Sequence, residues 1–190
     1  MKLNILFICL FLTSCGIQSI PKGVNEVEAK WAEVLNQYKR REDLIPNLVN
    51  TVKAYAAHVK ETLTAVIKAR AQATQMKINF DQLNAQSMKQ FQKAQGALSS
   101  ALSRLMVTVE KYPNLKANQN FLALQSQLEG TENRITVARK RYIESIKNFN
   151  NLISVPPTSF TNMIFYHHDK KPQFTVENYD EVKNAPKVNF

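Results

Sequence analysis

An all-α fold, an antiparallel bundle of three to four long helices, is what this sequence of 190 residues predicts. Apolar residues recur at three-four spacing through most of the chain, the period of a helix that buries one face. Chain breakers are scarce, with 4 Gly and 7 Pro, whereas a β-sandwich or barrel needs many tight turns. A hydrophobic content of 44% suffices for one core.

At the N-terminus, residues 1–14 read as a secretory signal peptide. Lys2 is followed by an apolar run from Leu3 to Leu12, interrupted by Asn4, and then by the small residues Thr13 and Ser14; this is the layout of a cleaved leader. The run is about half of the roughly 20 residues that a spanning helix requires. Leu12-Thr13-Ser14-Cys15 resembles the bacterial lipobox. In that motif the cysteine thiol accepts a diacylglyceryl group, and the small residues before it fit the peptidase cleft. Cleavage before Cys15 frees its amine for a further acyl chain such as palmitate. Two or three chains, at about 0.8 kcal/mol per buried CH₂, hold firmly where one binds marginally. The expected product is a lipoprotein of the cell envelope, anchored to a membrane through Cys15 and facing outside the cytoplasm. Gly16 favours the outer membrane where a cell has two. Cys9 leaves with the leader, so neither a free thiol nor a disulfide is expected in the mature chain. Residues 15–23 read as a lipidated, flexible tether.

Residues 24–153 carry the bundle. A first stripe runs Val24, Val27, Trp31, Val34, Tyr38, Ile45, Leu48, Val52, Tyr55, Val59, Val66, with Arg41 and Thr62 as its polar members. It keeps phase across Pro46, which predicts a continuous helix kinked there rather than broken, although Asp43 is also placed to cap a new helix. Lys77 to Gln82 is a connection, with Asp81 as its cap. A second stripe runs Met88, Phe91, Leu98, Leu102, Leu105, Val109 and stops at Tyr112-Pro113. A third runs Phe121, Leu124, Leu128, Thr131, Ile135, Ala138, Tyr142, Ile146, Phe149, Ile153 and stops at Pro156-Pro157. The short link between the last two makes them antiparallel. Residues 154–190 lack a helical period. They form an irregular tail in which Phe160, Met163, Ile164, Phe165 and Tyr166 are expected to pack over the bundle, and the stretch after Asp169 to be less ordered.

The net charge is +10. The dense basic clusters Lys39-Arg40-Arg41 and Arg139-Lys140-Arg141 are short and lack the interleaved aromatics on which single-stranded nucleic acid stacks. Nucleic acid is therefore not an expected partner; the expected partners are the membrane and other envelope proteins. No catalytic residues, cofactor or metal are assigned. His167, His168 and Asp169 are sequence neighbours, which rarely converge on one ion without a distant third ligand. No Gly-x-Ser-x-Gly elbow or Gly-rich phosphate loop is written in the chain.

The polar residues that stand out are Arg41, Asp43, Glu132 and Arg139, with Glu42, Asn133 and Arg134 beside them. Arg41 lies on an apolar stripe, so it must snorkel or meet an acid, for which Glu132 is the candidate. Such a cluster is either a packing and register device or a pocket for a small ligand or lipid. Trp31, Tyr38, Tyr55, Tyr142 and Phe149 lie at core spacing and read as packing.

Arg41-Glu-Asp-Leu-Ile-Pro-Asn-Leu-Val49 resembles the LemA signature R-x-D-L-I-P-N-L-V. From Tyr112 the chain reads YPNLKANQNFLALQSQLEGTENRITVARKRY, which is similar to the longest block of that family. Ala54 to His58 and Pro186 to Phe190 fit as well, so the likeness covers about Val24 to Phe190. Val59 stands where the family has Glu, and Tyr142-Ile143 where it has Tyr-Asn. Family members often begin with a spanning helix, and here a lipobox takes that place. The resemblance implies a four-helix bundle, which requires a full turn near Asp43 to Pro46, and it implies membrane association without an agreed catalytic set. The expected function is a non-enzymatic envelope scaffold or protein-interaction module. The alternative is a bundle that binds a small ligand or lipid near Arg41 and Glu132.

Overall fold

A computed structural model describes the backbone of residues 2–55, 59–76 and 78–174, and side chains from Ile17 onward within those ranges, Tyr55 excepted. Helix α1 spans Lys2–Tyr55, α2 Lys60–Gln75, α3 Ala85–Val109, α4 Pro113–Lys116, α5 Gln119–Ser154 and α6 Thr158–Thr161. A 3₁₀ turn occupies Phe80–Gln82 and a π-helical turn Asn162–Tyr166. The described residues are all-α, and α1, α2, α3 and α5 alternate in direction as a bundle. The Lys187-containing end of the family likeness and the rest of residues 175–190 lie outside the described residues, as does the Ala56 to His58 motif.

Helix α1 passes through Pro46 without a break. Proline has no N–H to give to the carbonyl four residues back, which here is Glu42. That oxygen accepts instead from Nε of Arg70 on α2, at 2.9 Å. The same substitution occurs at Pro21, whose orphaned partner, the Ile17 carbonyl, accepts from the Tyr166 hydroxyl at 2.8 Å. The sequence-based kinked helix extended to Val66 and beyond. In the structure α1 ends at Tyr55 and α2 begins at Lys60, so the bundle has four long helices, with the turn about ten residues later than the resemblance implied. After the turn Leu63, not Thr62, is buried.

Residues 17–23, expected as part of a tether, continue α1 and dock on α5. Ile20 is fully buried. Gly23 explains the close approach: a Cβ there would lie 3.1 Å from Leu152 Cδ1 and 3.2 Å from Phe149 Cδ2.

Side-chain caps fix the starts of α3 and α5. Asn84, rather than the expected Asp81, caps α3: its Oδ1 accepts from the Ser87 N–H at 2.9 Å, and Ser87 Oγ accepts from the Asn84 N–H at 2.9 Å. Asn118 Oδ1 accepts from the Phe121 N–H at 3.0 Å to start α5, and Pro113 takes the first position of α4, where its missing donor costs nothing.

The stripes bury as two cores stacked along the bundle. One is aliphatic, including Ile45, Leu48, Val52, Leu63, Val66, Leu98, Leu105, Leu115 and Leu128, with Phe121. The other is aromatic, including Trp31, Tyr38, Phe91, Tyr142, Phe149 and Phe174. Trp31 meets Phe91 edge-on at 5.4 Å and Tyr142 at 5.2 Å, and its Nε1 donates to the Ile78 carbonyl at 3.2 Å. Packed aromatic pairs of this kind add about 0.5–1.5 kcal/mol beyond their area.

The tail differs most from expectation. Phe160, Met163, Ile164 and Phe165 do not cover the bundle; they are 57, 63, 60 and 65% exposed. Of the five expected to pack there, only Tyr166 lies on the aromatic core; beside it Asn162 is buried, and Phe174 closes that core.

Candidate functional site

Between the two cores lies a polar layer, at the level where each of three stripes has a polar member: Arg41 on α1, Gln95 on α3 and Thr131 on α5, all buried. Arg41 is 1% exposed. Its Nη1 donates to Ser99 Oγ at 2.8 Å and to Glu132 Oε1 at 2.6 Å; its Nη2 donates to Gln95 Oε1 at 2.6 Å and to the Gln95 carbonyl at 3.3 Å. The guanidinium carbon lies 5.1 Å from the centre of the Tyr38 ring. One side chain of α1 thus ties α3 and α5 together. Arg41 Nε is buried without a partner. Arginine suits this role because its planar fork reaches several acceptors at once and stays charged when buried.

The acid of the pair is less enclosed, with the Glu132 side chain 46% exposed. It lines a cleft of about 500 Å³ with Tyr38, Arg139, Thr136, Ser99 and Phe174. Arg139 forms part of this wall, its guanidinium 4.5 Å from the centre of the Phe174 ring. Burial pushes the Tyr38 hydroxyl above the ordinary tyrosine value; the positive charges of Arg139 and Arg41 pull it back, Glu132 raises it, and a hydrogen bond with Arg139 lowers it.

The structure therefore brings Arg41, Glu132 and Arg139 to one place. Asp43 is elsewhere: it sits on the outer face of α1, 57% exposed and paired with Lys39 at 2.5 Å. Two residues along a helix turn the side chain about 200°, which carries Asp43 out of the layer. Glu42 is the buried acid instead; its Oε2 accepts from Thr74 Oγ1 at 3.1 Å while its carbonyl holds Arg70. Asn133 and Arg134 face outward, beside Glu33 and Arg141; the latter two pair at 2.6 Å and tie α1 to α5 across the surface.

Gln95 and Ser99 were missed, yet a signal existed. Phe91 and Leu98 are seven residues apart, and the core position between them falls at Gln95. His167 and His168 are placed by backbone and ring contacts. His167 adopts a left-handed φ of 52°, and the His168 ring stacks on Tyr166 at 5.9 Å. Among the described residues no group of three or more His, Cys, Asp or Glu is arranged to hold a metal ion, and no helix is long and apolar enough to cross a membrane.

The family model described as LemA family matches residues 30–190, which takes in the polar layer, the turn after α1 and the tail. No curated protein matches the chain.

Proposed function

The chain belongs to the LemA family, and from that premise we propose that it is a lipid-anchored envelope protein whose bundle is a non-enzymatic scaffold for other envelope proteins. The observation that carries this reading is the continuity of α1, one helix from the leader to Tyr55. Lipid on Cys15 is then joined to the bundle without a swivel. From Ile17 to Tyr55 the helix rises roughly 60 Å at 1.5 Å per residue, a strut that carries the end where α1 meets α2 well away from the bilayer. The Arg41 layer supports the same role, because its donors go to α3 and α5 and lock the strut to its neighbours.

Mass spectrometry of the mature N-terminus tests the anchor. Acylated Cys15 is the expected first residue, and Cys15→Ala releases the protein from the membrane fraction. An unmodified Cys15 behind an uncleaved leader rejects it. Cross-linking of the processed protein in intact cells tests the scaffold, which fails if no envelope protein is captured above a lipoprotein control.

A second reading rests on the cleft of about 500 Å³. With Arg139 in its wall and Glu132 at its edge, it fits a small anionic ligand or a lipid headgroup. Retained affinity for such a ligand after Arg139→Gln removes this reading.

A further inference from the structure

The segment after α5 is inside out for a protein surface in water. Its polar side chains turn inward. Thr158 Oγ1 donates to the carbonyls of Leu152 and Val155. Asn162 Nδ2 donates to the His168 carbonyl at 3.0 Å, and its Oδ1 accepts from the His168 N–H at 3.0 Å. Tyr166 reaches back to the Ile17 carbonyl at 2.8 Å. Held outward by this frame are Phe160, Met163, Ile164 and Phe165, each more than half exposed. Exposed apolar residues are ordinary when scattered singly; four of the six residues from Phe160 to Phe165 make a contiguous patch, which marks a binding surface.

Position and charge name the occupant. The Tyr166 bond fastens the patch to α1 at Ile17, itself 42% exposed, two residues or about 3 Å of helix from Cys15. The charged residues from Ile17 to Asn25 and from Asn150 to Phe174 are Lys22, Asp169, Lys170 and Lys171, three cations to one anion, as suits an anionic leaflet.

We propose that this patch is a lipid-binding surface: Phe160, Met163, Ile164 and Phe165 enter the interface of the leaflet that holds the acyl chains of Cys15. This rests on the anchor reading and adds a second point of attachment. One point leaves the bundle free to spin about the axis of α1; two fix which face it turns along the leaflet.

The test uses the full chain, processed in its host and reconstituted into vesicles of phosphatidylethanolamine and phosphatidylglycerol with brominated acyl chains. Trp31 is buried in the core and gives a constant background. In Phe165→Trp and, separately, Ile164→Trp, the added indole should shift to the blue and lose more than half of its emission to bromine, as expected for a side chain roughly 5–10 Å into the interface. Val107→Trp, exposed on α3, should stay unquenched. Added tryptophans that remain unquenched on vesicles carrying acylated Cys15 overturn the proposal and leave the anchor standing. Quenching with an unmodified Cys15 upholds the patch and rejects the anchor. A blue shift that depends on protein concentration and not on bromine assigns the patch to a second copy of the chain and overturns the proposal.

Discussion

The Glu42 carbonyl and the Arg70 guanidinium, 2.9 Å apart, account for a proline in the middle of a helix. Pro46 cannot supply the donor that Glu42 needs, and α2 supplies it from outside. An unsatisfied carbonyl in a partly buried site costs about 1–3 kcal/mol. Arg70→Met should therefore lower the stability by about that amount in urea unfolding. In a Pro46→Ala background the helix provides its own N–H, and Arg70→Met should cost clearly less. Equal costs in the two backgrounds would falsify the link.

The two ends of the Arg41–Glu132 pair should be unequal. Arg41→Ala removes a large buried side chain and leaves the buried Gln95 without its partner, at about 2–5 kcal/mol. Glu132→Gln removes a carboxylate that is half in water and leaves Arg41 its bonds to Gln95 and Ser99, at about 1–2 kcal/mol. Thermal unfolding ranks them; Glu132→Gln at or above Arg41→Ala would mean that the layer is organised around the acid.

Tyr38 and Tyr142 are both held above the ordinary tyrosine value, in each case chiefly by burial. The unfolded chain then loses these protons first as the pH rises. Their contribution to stability is fully present below about pH 10, the unfolded value, and is lost as pH climbs from there toward the folded values. Each tyrosine steepens the fall by at most about 1.4 kcal/mol per pH unit. Tyr142→Phe should flatten the alkaline limb of a stability–pH curve, and an unchanged limb would show that Tyr142 ionises freely in the fold.

Gly23 and Gly130 both lie inside long helices and should respond oppositely. Nothing lies within 4 Å of a Cβ at Gly130, so Gly130→Ala should stabilise by about 0.8–1 kcal/mol. At Gly23 the same gain meets Phe149 and Leu152, and Gly23→Leu should cost about 1–3 kcal/mol through overpacking. Stabilisation by Gly23→Leu would mean that α1 and α5 do not approach closely there.

The buried faces were readable because helical period and burial are the same geometry: nearly every member of the three stripes is in the core. The turn after Tyr55 was not readable. No Gly or Pro stands between Tyr55 and Lys60 to announce a new helix, and the spacing of Val59 and Val66 reads on from the first stripe. The phase of the stripe favoured a helix continuous through Pro46, as found, but the sequence shows only the missing donor and not Arg70, which replaces it from 24 positions away. Arg41 and Glu132 could be paired from the sequence, one being a charge on an apolar stripe. Asp43 could have been told from Glu42 by the same stripe, since Glu42 lies four residues after Tyr38 and three before Ile45. The apolar tail was misread because hydrophobic residues were expected to face the protein, whereas Thr158, Asn162 and Tyr166 carry the inward bonds.

Both interior prolines of α1 are completed by donors made later in the chain, Arg70 for Pro46 and Tyr166 for Pro21. Synthesis delivers the strut first and its last fastening more than a hundred residues later. Until Tyr166 arrives, the turn of α1 around Ile17 lacks one of its bonds. That bond forms only when the tail docks, so the Ile17 end of the bundle is the last to be completed. Amide exchange near Pro21 should accordingly be fast in Tyr166→Phe and slow in the native chain.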